Sequence, residues 1–175
     1  MLYEPQEDSY LLKKYIKEFV RDKKVLDMGC GAGILSLEAK KYTYSIVSAD
    51  INPEAVSFCL EQGLNACVSD LFSNLKEKFD VILFNPPYLP FDEDEALDSA
   101  LATTGGKEGH EVIERFLKDA KEYLTLNGKI LLVSSSLTGD LETLFENYGF
   151  SFEVLEKESH FFEELKLYLL SPKVL

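Results

Sequence analysis

Positive charge is scarce in this chain. Its 175 residues carry 18 Lys and Arg against 31 Asp and Glu, a net charge of −13. Gripping a phosphate backbone requires cations that displace condensed counterions, so this balance opposes a broad nucleic-acid interface and leaves room only for a local basic patch. Long apolar runs are missing too: none approaches membrane-spanning length. The first residues, Met1-Leu2-Tyr3-Glu4, lack the basic start of a signal peptide. No membrane partner and a cytoplasmic location are therefore expected. Cysteine is sparse. Cys30, Cys59 and Cys67 are odd in number and lack metal-ligand spacing, which favours free thiols in a reducing compartment over disulfides or a metal site. The two histidines, His110 and His160, stand far in sequence from any nucleophile or metal partner and are read as structural. No serine sits in a nucleophile-elbow pattern. No repeat, low-complexity tract or linker divides the chain, so residues 1–175 are expected to form one domain. A hydrophobic content of 46% with 12% aromatics is enough for a sizeable core.

What is present is an alternation of short apolar runs and amphipathic stretches. After the opening Tyr3-Glu4-Pro5-Gln6-Glu7, the spacing of Leu11, Leu12, Tyr15, Ile16 and Phe19 predicts a helix capped by Asp8 or Ser9. Lys24 to Met28 reads as a first strand, Ser45 to Ala49 as a second, Asn65 to Ser69 as a third and Phe79 to Phe84 as a fourth. Between the second and third, Asn52-Pro53-Glu54 opens a helix and Gly63 stops it. A helix is expected from about Glu108 to Leu126, stopped by Asn127-Gly128, with a fifth strand over Lys129 to Val133. Asp140 to Tyr148 reads as another helix. Phe150 to Glu156 and Glu164 to Leu170 read as an antiparallel hairpin turning near Ser159-His160. This order predicts an α/β protein with a doubly wound, mostly parallel seven-stranded sheet and a terminal antiparallel hairpin.

Two stretches carry chemistry. The first strand runs into Gly29-Cys30-Gly31-Ala32-Gly33, a helix and a strand follow, and Asp50 closes that strand. Glycines allow a tight turn and close backbone approach to a ligand, and an acid some 20 positions further on suits a ribose diol. Asp70, at the end of the third strand, is placed either to receive an adenine amino group or to stand in a solvated turn. The second stretch is Asn85-Pro86-Pro87-Tyr88, at the carboxyl end of the fourth strand, where open α/β sheets hold their ligands. The asparagine oxygen accepts from a planar NH2 group, the prolines stiffen the neighbouring carbonyls, and Tyr88 offers a flat face. Together they suit gripping an amide or amino nitrogen while leaving its face open. The long segment that follows, with Asp92, Glu93, Asp94, Glu95 and Asp98, reads as a substrate-facing loop, and Gly105, Gly106 and Gly109 give it room to hinge.

Asp27-Met28-Gly29-Cys30-Gly31-Ala32-Gly33 resembles the first motif of class I S-adenosylmethionine-dependent methyltransferases; the nicotinamide fingerprint G-x-G-x-x-G is not matched. Asn85-Pro86-Pro87-Tyr88 is similar to the motif of members that methylate planar nitrogens, either adenine N6 or the glutamine amide. The opening segment through Leu12, and Gly105-Gly106 with Gly109, Val112, Arg115, Phe116 and Leu117, resemble the HemK/PrmC branch, which acts on the Gly-Gly-Gln glutamine of translation release factors. With only about two dozen residues before Val25, the chain is similar to the short archaeal and eukaryotic form, which works with a small zinc-binding activator subunit.

The resemblance implies S-adenosyl-L-methionine as cofactor, lined by Ser9, Asp27, Gly29, Gly31, Asp50, Asp70, Leu71 and Asn85. It implies catalysis by Asn85, Pro86 and Tyr88, with Pro87 completing the substrate slot, and a release factor as the partner protein. In that fold the third strand lies at the sheet edge, where Ala66-Cys67-Val68 carries no guarding Lys or Pro and would receive the activator. The alternatives are an adenine-N6 methyltransferase on DNA or RNA, a protein-lysine methyltransferase, and a non-catalytic cofactor-binding subunit.

Overall fold

The computed structural model describes residues 6–90 and 104–173. The acidic residues Asp92 to Glu95 and Asp98, and the opening Tyr3-Glu4-Pro5, lie outside them. The chain enters through α1 (Glu7–Lys13) and α2 (Ile16–Val20), two short helices where the apolar spacing predicts one. Gln6 occupies the cap position in an extended conformation and no side chain caps α1. Asp8 and Ser9 are buried in its first turn; Asp8 Oδ1 accepts from Ser9 N at 2.5 Å, while Asp8 Oδ2 and Ser9 Oγ bond beyond the helix, as described below.

Strands β1 (Val25–Met28), β2 (Ile46–Asp50), β3 (Ala66–Val68) and β4 (Phe79–Phe84) follow, with α3 (Ile34–Ala39) and α4 (Pro53–Glu61) crossing between the first three. The start of α4 is as its sequence predicts. Asn52 Oδ1 accepts from Glu54 N at 2.9 Å and proline fills the first turn. A short parallel pair comes next, β5 (Leu89–Pro90) with β6 (Thr104–Gly106).

The expected long helix from Glu108 is shorter. It is α5 (Glu111–Ala120), followed by a 3-10 turn at Lys121–Tyr123, and the chain is already extended at Leu124. Leu124 is buried opposite Phe79, while Leu126 is almost fully exposed, so two-residue alternation takes over where the helical face ends. Strand β7 therefore runs from Leu124 to Ser135 and contains Asn127-Gly128. Its pairing with β4 shifts register between Phe79 and Val81, and a Cβ on Gly128 would stand 3.0 Å from the Phe79 carbonyl. The glycine permits a bulge instead of stopping a helix. Helix α6 (Leu141–Asn147), with Asp140 Oδ1 capping Thr143 N at 3.1 Å, leads to β8 (Phe150–Ser159) and β9 (Glu164–Pro172).

Seven strands form one sheet in the order β3-β2-β1-β4-β7-β9-β8. The first five are parallel neighbours; β9 inserts between β7 and β8 and runs antiparallel to both. That matches the predicted fold, hairpin included, and β3 is an edge. The central strands are buried on both faces, which explains their near-continuous apolar runs. Leu26, Ile82, Phe84 and Leu132 pack with Ile113, Phe116 and Phe145 on one side. Val25, Val81, Leu83, Leu131 and Val133 pack with Leu11, Leu12, Ile16 and Leu35 on the other. Each such side chain contributes about 1.5–3 kcal/mol on burial. Among the described residues no helix is long and apolar enough to cross a membrane.

Candidate active site

The parallel register brings the strand ends level. Met28 pairs with Ala49 on one side and Phe84 on the other, and Asp50 pairs with Val68. The chain therefore emerges at Gly29, Asp50, Asp70 and Asn85 along one carboxyl-end rim, which spans the reversal in strand order.

At the rim's centre the glycine turn folds back onto β2, with Gly29 N and Cys30 N donating to the Ala49 carbonyl at 2.7 and 3.1 Å. Gly29 has φ +70°, and the nearest atoms to a Cβ there would be the Asn85 carbonyl and Phe84 ring, both 3.9 Å away. A shallow cradle thus separates the turn from the Asn85 backbone. Gly33 answers to packing instead: its Cβ would lie 2.9 Å from Leu64 and 3.0 Å from Cys59 Sγ.

Three carboxylates line this cradle's strands. Asp50 accepts from Gly31 N through Oδ2 and from Asn52 N through Oδ1, both at 2.8 Å, so it holds the turn in place. Asp27 is buried. Its Oδ2 accepts from Ser36 N at 3.0 Å and Ser36 Oγ at 2.6 Å, while its Oδ1 has no partner among the described residues. Burial pushes the Asp27 carboxyl up to about 6; the Ser36 bonds oppose this and the Asp50 charge adds to it. Asp70 forms a 2.8 Å ion pair with Arg115 Nη2 and, with Leu71, borders a cleft of about 330 Å³ completed by Phe72, Ser73, Lys118 and Tyr123. That cleft flanks the rim without reaching Asn85 or Asp50. Leu71 adopts φ +48°, an unusual conformation for a residue with a Cβ, and its carbonyl accepts from Ser69 Oγ at 2.6 Å.

The Asn85 side chain is fixed by one end. Its Nδ2 donates to Ser9 Oγ at 3.1 Å, and its Oδ1 is buried with no partner among the described residues. Ser9, expected to line a cofactor, thus also contacts the asparagine. Tyr88 donates through its hydroxyl to Asp8 Oδ2 at 3.0 Å, and its carbonyl accepts from Thr138 Oγ1 at 3.1 Å. Asn85 and Tyr88 are therefore anchored on consecutive residues of α1. Pro86 is buried, and Pro87 is packed by the glycines of the next strand. A Cβ on Gly105 would lie 2.7 Å from the Pro87 carbonyl and 2.0 Å from that of Gly109. On Gly106, at φ +122°, it would meet the Glu111 carboxylate at 2.4 Å. These glycines serve close backbone packing, which corrects the expectation of a hinge. Glu111 Oε1 accepts from Glu108 N at 2.9 Å and closes this platform.

Sequence reasoning missed Asp8, Thr138 and Ser36. Asp8 stood beside Ser9 as a candidate cap; nothing local marks Thr138, which reaches Tyr88 from 50 residues away.

The methyltransferase small domain family matches residues 6–162. The chain belongs to that family. Of its relatives, a Methanocaldococcus jannaschii protein provisionally named a protein N5-glutamine methyltransferase is 45% identical over 175 residues, covering 94% of this chain and 88% of that one. The Mtq2–Trm112 complex of E. cuniculi, whose described role is methylation of the eRF1 translation termination factor, superimposes with a TM-score of 0.81 and 27% identity over 98% of this methyltransferase and 99% of its own chain. A T. thermophilus 16S rRNA methyltransferase, solved with AdoMet and guanosine, gives a TM-score of 0.70 at 25% identity, covering 98% of this chain and 44% of that one.

Proposed function

We propose that this methyltransferase transfers a methyl group from S-adenosylmethionine to the side-chain amide nitrogen of the glutamine in the Gly-Gly-Gln motif of a class I translation release factor. The observation that carries the reading is the Asn85 amide: Nδ2 tied to Ser9, Oδ1 buried and lacking a donor among the described residues. An unmet buried acceptor costs about 1–3 kcal/mol, which a substrate NH2 group would recover. The names of the Methanocaldococcus and E. cuniculi relatives support the same substrate class.

The rim suits the cofactor. Asp27 Oδ1, without a partner among the described residues, fits the amino group of the methionine part, and the open side of Gly29 leaves room for its backbone approach. Asp50 stands where ribose hydroxyls would be held, Gly31 presents the turn to them, and Asp70 with the left-handed Leu71 frames the adenine. Bound there, S-adenosylmethionine supplies an electrophilic methyl group on a sulfonium.

The chain's own residues do the rest. An amide nitrogen is a weak nucleophile because its lone pair is delocalised. Catalysis then rests on orientation and on acceptors that strengthen as the nitrogen becomes positive. Asn85 Oδ1 and the Pro86 carbonyl accept the two N–H groups of the substrate amide. Ser9 holds the plane of the Asn85 amide, the consecutive prolines stiffen the carbonyl, and Asp8 holds the Tyr88 ring beside the slot.

A small activator subunit, zinc-binding in the resembled branch, is proposed at the β3 edge, and the E. cuniculi relative is itself a complex with Trm112. Ser48 N bonds to the Asn65 carbonyl and Ser69 N to the Asp50 carbonyl, both at 2.8 Å. Residues 65 and 69 therefore face β2, and by alternation Ala66 and Val68 turn their backbone groups outward. A partner strand would pair there. The free thiols Cys30, Cys59 and Cys67 suit a cytoplasmic setting.

Methylation of a nucleobase amino group is the second reading, favoured by likeness to the 16S rRNA enzyme. The net charge of −13 weighs against it. Radiolabelled methyl transfer offering release factor, histone peptide and a DNA oligonucleotide in parallel tests the choice: label should enter the release factor, and label in DNA with an inert release factor would reverse it.

A further inference from the structure

The β8–β9 hairpin ends in a feature the reaction does not explain. Phe161 and Phe162 are 92% and 84% exposed and meet edge to face, with ring centroids 4.6 Å apart. Singly exposed apolar residues are common and need no reason; two adjoining phenyl rings held in water are a different matter. The turn beneath them is ordered by His160 N donating to the Glu163 carbonyl at 2.8 Å.

Its place in the fold gives the pair meaning. Leu165 pairs with Ser135, the last residue of β7, so the antiparallel hairpin turns at the carboxyl end of the parallel strands. That is the end where Asn85 emerges. Two hydrogen bonds join the tip to the motif: Glu164 N donates to Ser136 Oγ at 3.0 Å, and two residues on, Thr138 Oγ1 donates to the Tyr88 carbonyl at 3.1 Å. Between them Leu137 is 47% exposed and extends the apolar surface towards the site.

The surroundings are acidic. Residues 156–164 contain four glutamates and one lysine; Lys14 pairs with Glu156 and Glu158 and Lys157 with Glu164, which leaves the turn with a smaller negative excess. Glu163 Oε2 is buried without a hydrogen-bond donor among the described residues. Phenyl rings stack on nucleobases as readily as they pack on polypeptide, but a strand of phosphates would lie against these carboxylates. A polypeptide carrying basic and small apolar residues meets both features.

We infer that Phe161, Phe162 and Leu137 form a docking surface for the substrate protein, gripping polypeptide that lies outside its Gly-Gly-Gln motif. This rests on the reading of the site as one for a protein-borne glutamine. The rings act in binding and touch no reacting atom. Their loss should raise KM for a whole protein and leave kcat alone.

The test is steady-state methyl transfer by the full chain and by the double variant Phe161→Ser/Phe162→Ser, with a full-length class I release factor and with a short Gly-Gly-Gln peptide as acceptors. Calorimetric S-adenosylmethionine binding checks the fold, and both side chains are exposed enough for it to survive. The variant should show a KM for the release factor raised at least about tenfold, as for a lost aromatic anchor. Its kcat, its cofactor affinity and its kinetics on the peptide should stay within about twofold, an effect too small to count as a lost contact. Phe161→Leu/Phe162→Leu, which keeps apolar bulk, should recover most of the KM. An active wild type whose KM does not move in the Ser variant overturns the docking surface and leaves the glutamine reading standing. A wild type inert on the release factor overturns both. Weakened binding of an RNA oligonucleotide in the Ser variant, with the protein KM unchanged, assigns the rings to base stacking and likewise overturns the proposal.

Discussion

Asn85 and Ser9, 76 residues apart, share a 3.1 Å hydrogen bond that ties the asparagine amide to α1. With Nδ2 given to Ser9 Oγ, the oxygen is left buried and without a donor among the described residues. The Ser9 hydroxyl can both accept and donate, so it holds the plane of the amide, and the orientation seen leaves the oxygen for a substrate donor. An amide held in that plane needs little rearrangement when substrate arrives, which is what preorganised catalysis asks of it.

If Asn85 serves the transition state and Asp50 serves the cofactor, their alanine variants should fail differently. Asn85→Ala should lower kcat by about a hundredfold or more and leave S-adenosylmethionine affinity nearly intact. Asp50→Ala should mainly weaken cofactor binding, since it also releases the glycine turn at Gly31. Calorimetry and saturation kinetics on both variants measure this. The reverse pattern would show the two roles to be wrongly assigned.

Ser9→Ala removes the anchor while leaving Asn85 in place. A single hydrogen bond of this kind is worth about 0.5–1.5 kcal/mol, so kcat should fall by roughly two- to tenfold. Ser9→Thr, which keeps the hydroxyl, should lose less. Should Ser9→Ala instead raise only the cofactor dissociation constant, Ser9 is a cofactor contact and does not position Asn85.

Much of this arrangement is legible in sequence, and the limits are physical. The glycine turn, the acid that closes β2 and the motif ending β4 lie within single strand–turn units, where local chemistry dictates conformation. The start of β7 was hidden because Leu124 fits the spacing of the preceding helix equally well, and only its pairing with Phe79 decides. The roles of Asp8 and Thr138 depend on contacts across 80 and 50 residues, which no local pattern reveals. The tight glycines at 105 and 106 look the same in sequence as flexible ones; the Pro87 carbonyl and Glu111 carboxylate beside them make the difference.

Asp27 makes the protein sensitive to pH. Burial raises its folded value to about 6, above the unfolded one, so the fold holds this proton more tightly than the unfolded chain does. Stability should therefore fall as pH rises from about 4 to about 6 and then level off, an effect on the order of 3 kcal/mol at most. Asp27→Asn should lack that part of the slope in urea titrations. A cationic group beside Oδ1 favours the ionised form, so S-adenosylmethionine affinity should weaken as pH drops below about 6 in wild type and stay flat in the variant. Identical pH profiles for the two proteins would remove Asp27 from the site.

The β3 edge gives a separate test. Ala66→Pro deletes an N–H turned away from β2, so pairing within the sheet should survive and a strand added from outside should not. Co-expression with a small activator subunit should then give co-purification for wild type and none for the variant, with cofactor affinity unchanged in both. A variant that still carries the activator would place the partner elsewhere.

The most direct measurement is tandem mass spectrometry of a class I release factor after incubation with the enzyme and S-adenosylmethionine, beside the same factor with its Gly-Gly-Gln glutamine changed to asparagine and beside a DNA oligonucleotide. One added methyl group should appear on the glutamine side chain. None should appear on the asparagine factor, whose shorter side chain cannot bring its amide to Asn85 Oδ1, and none on the DNA. Methylated adenine in the oligonucleotide with an unmodified release factor would contradict the account.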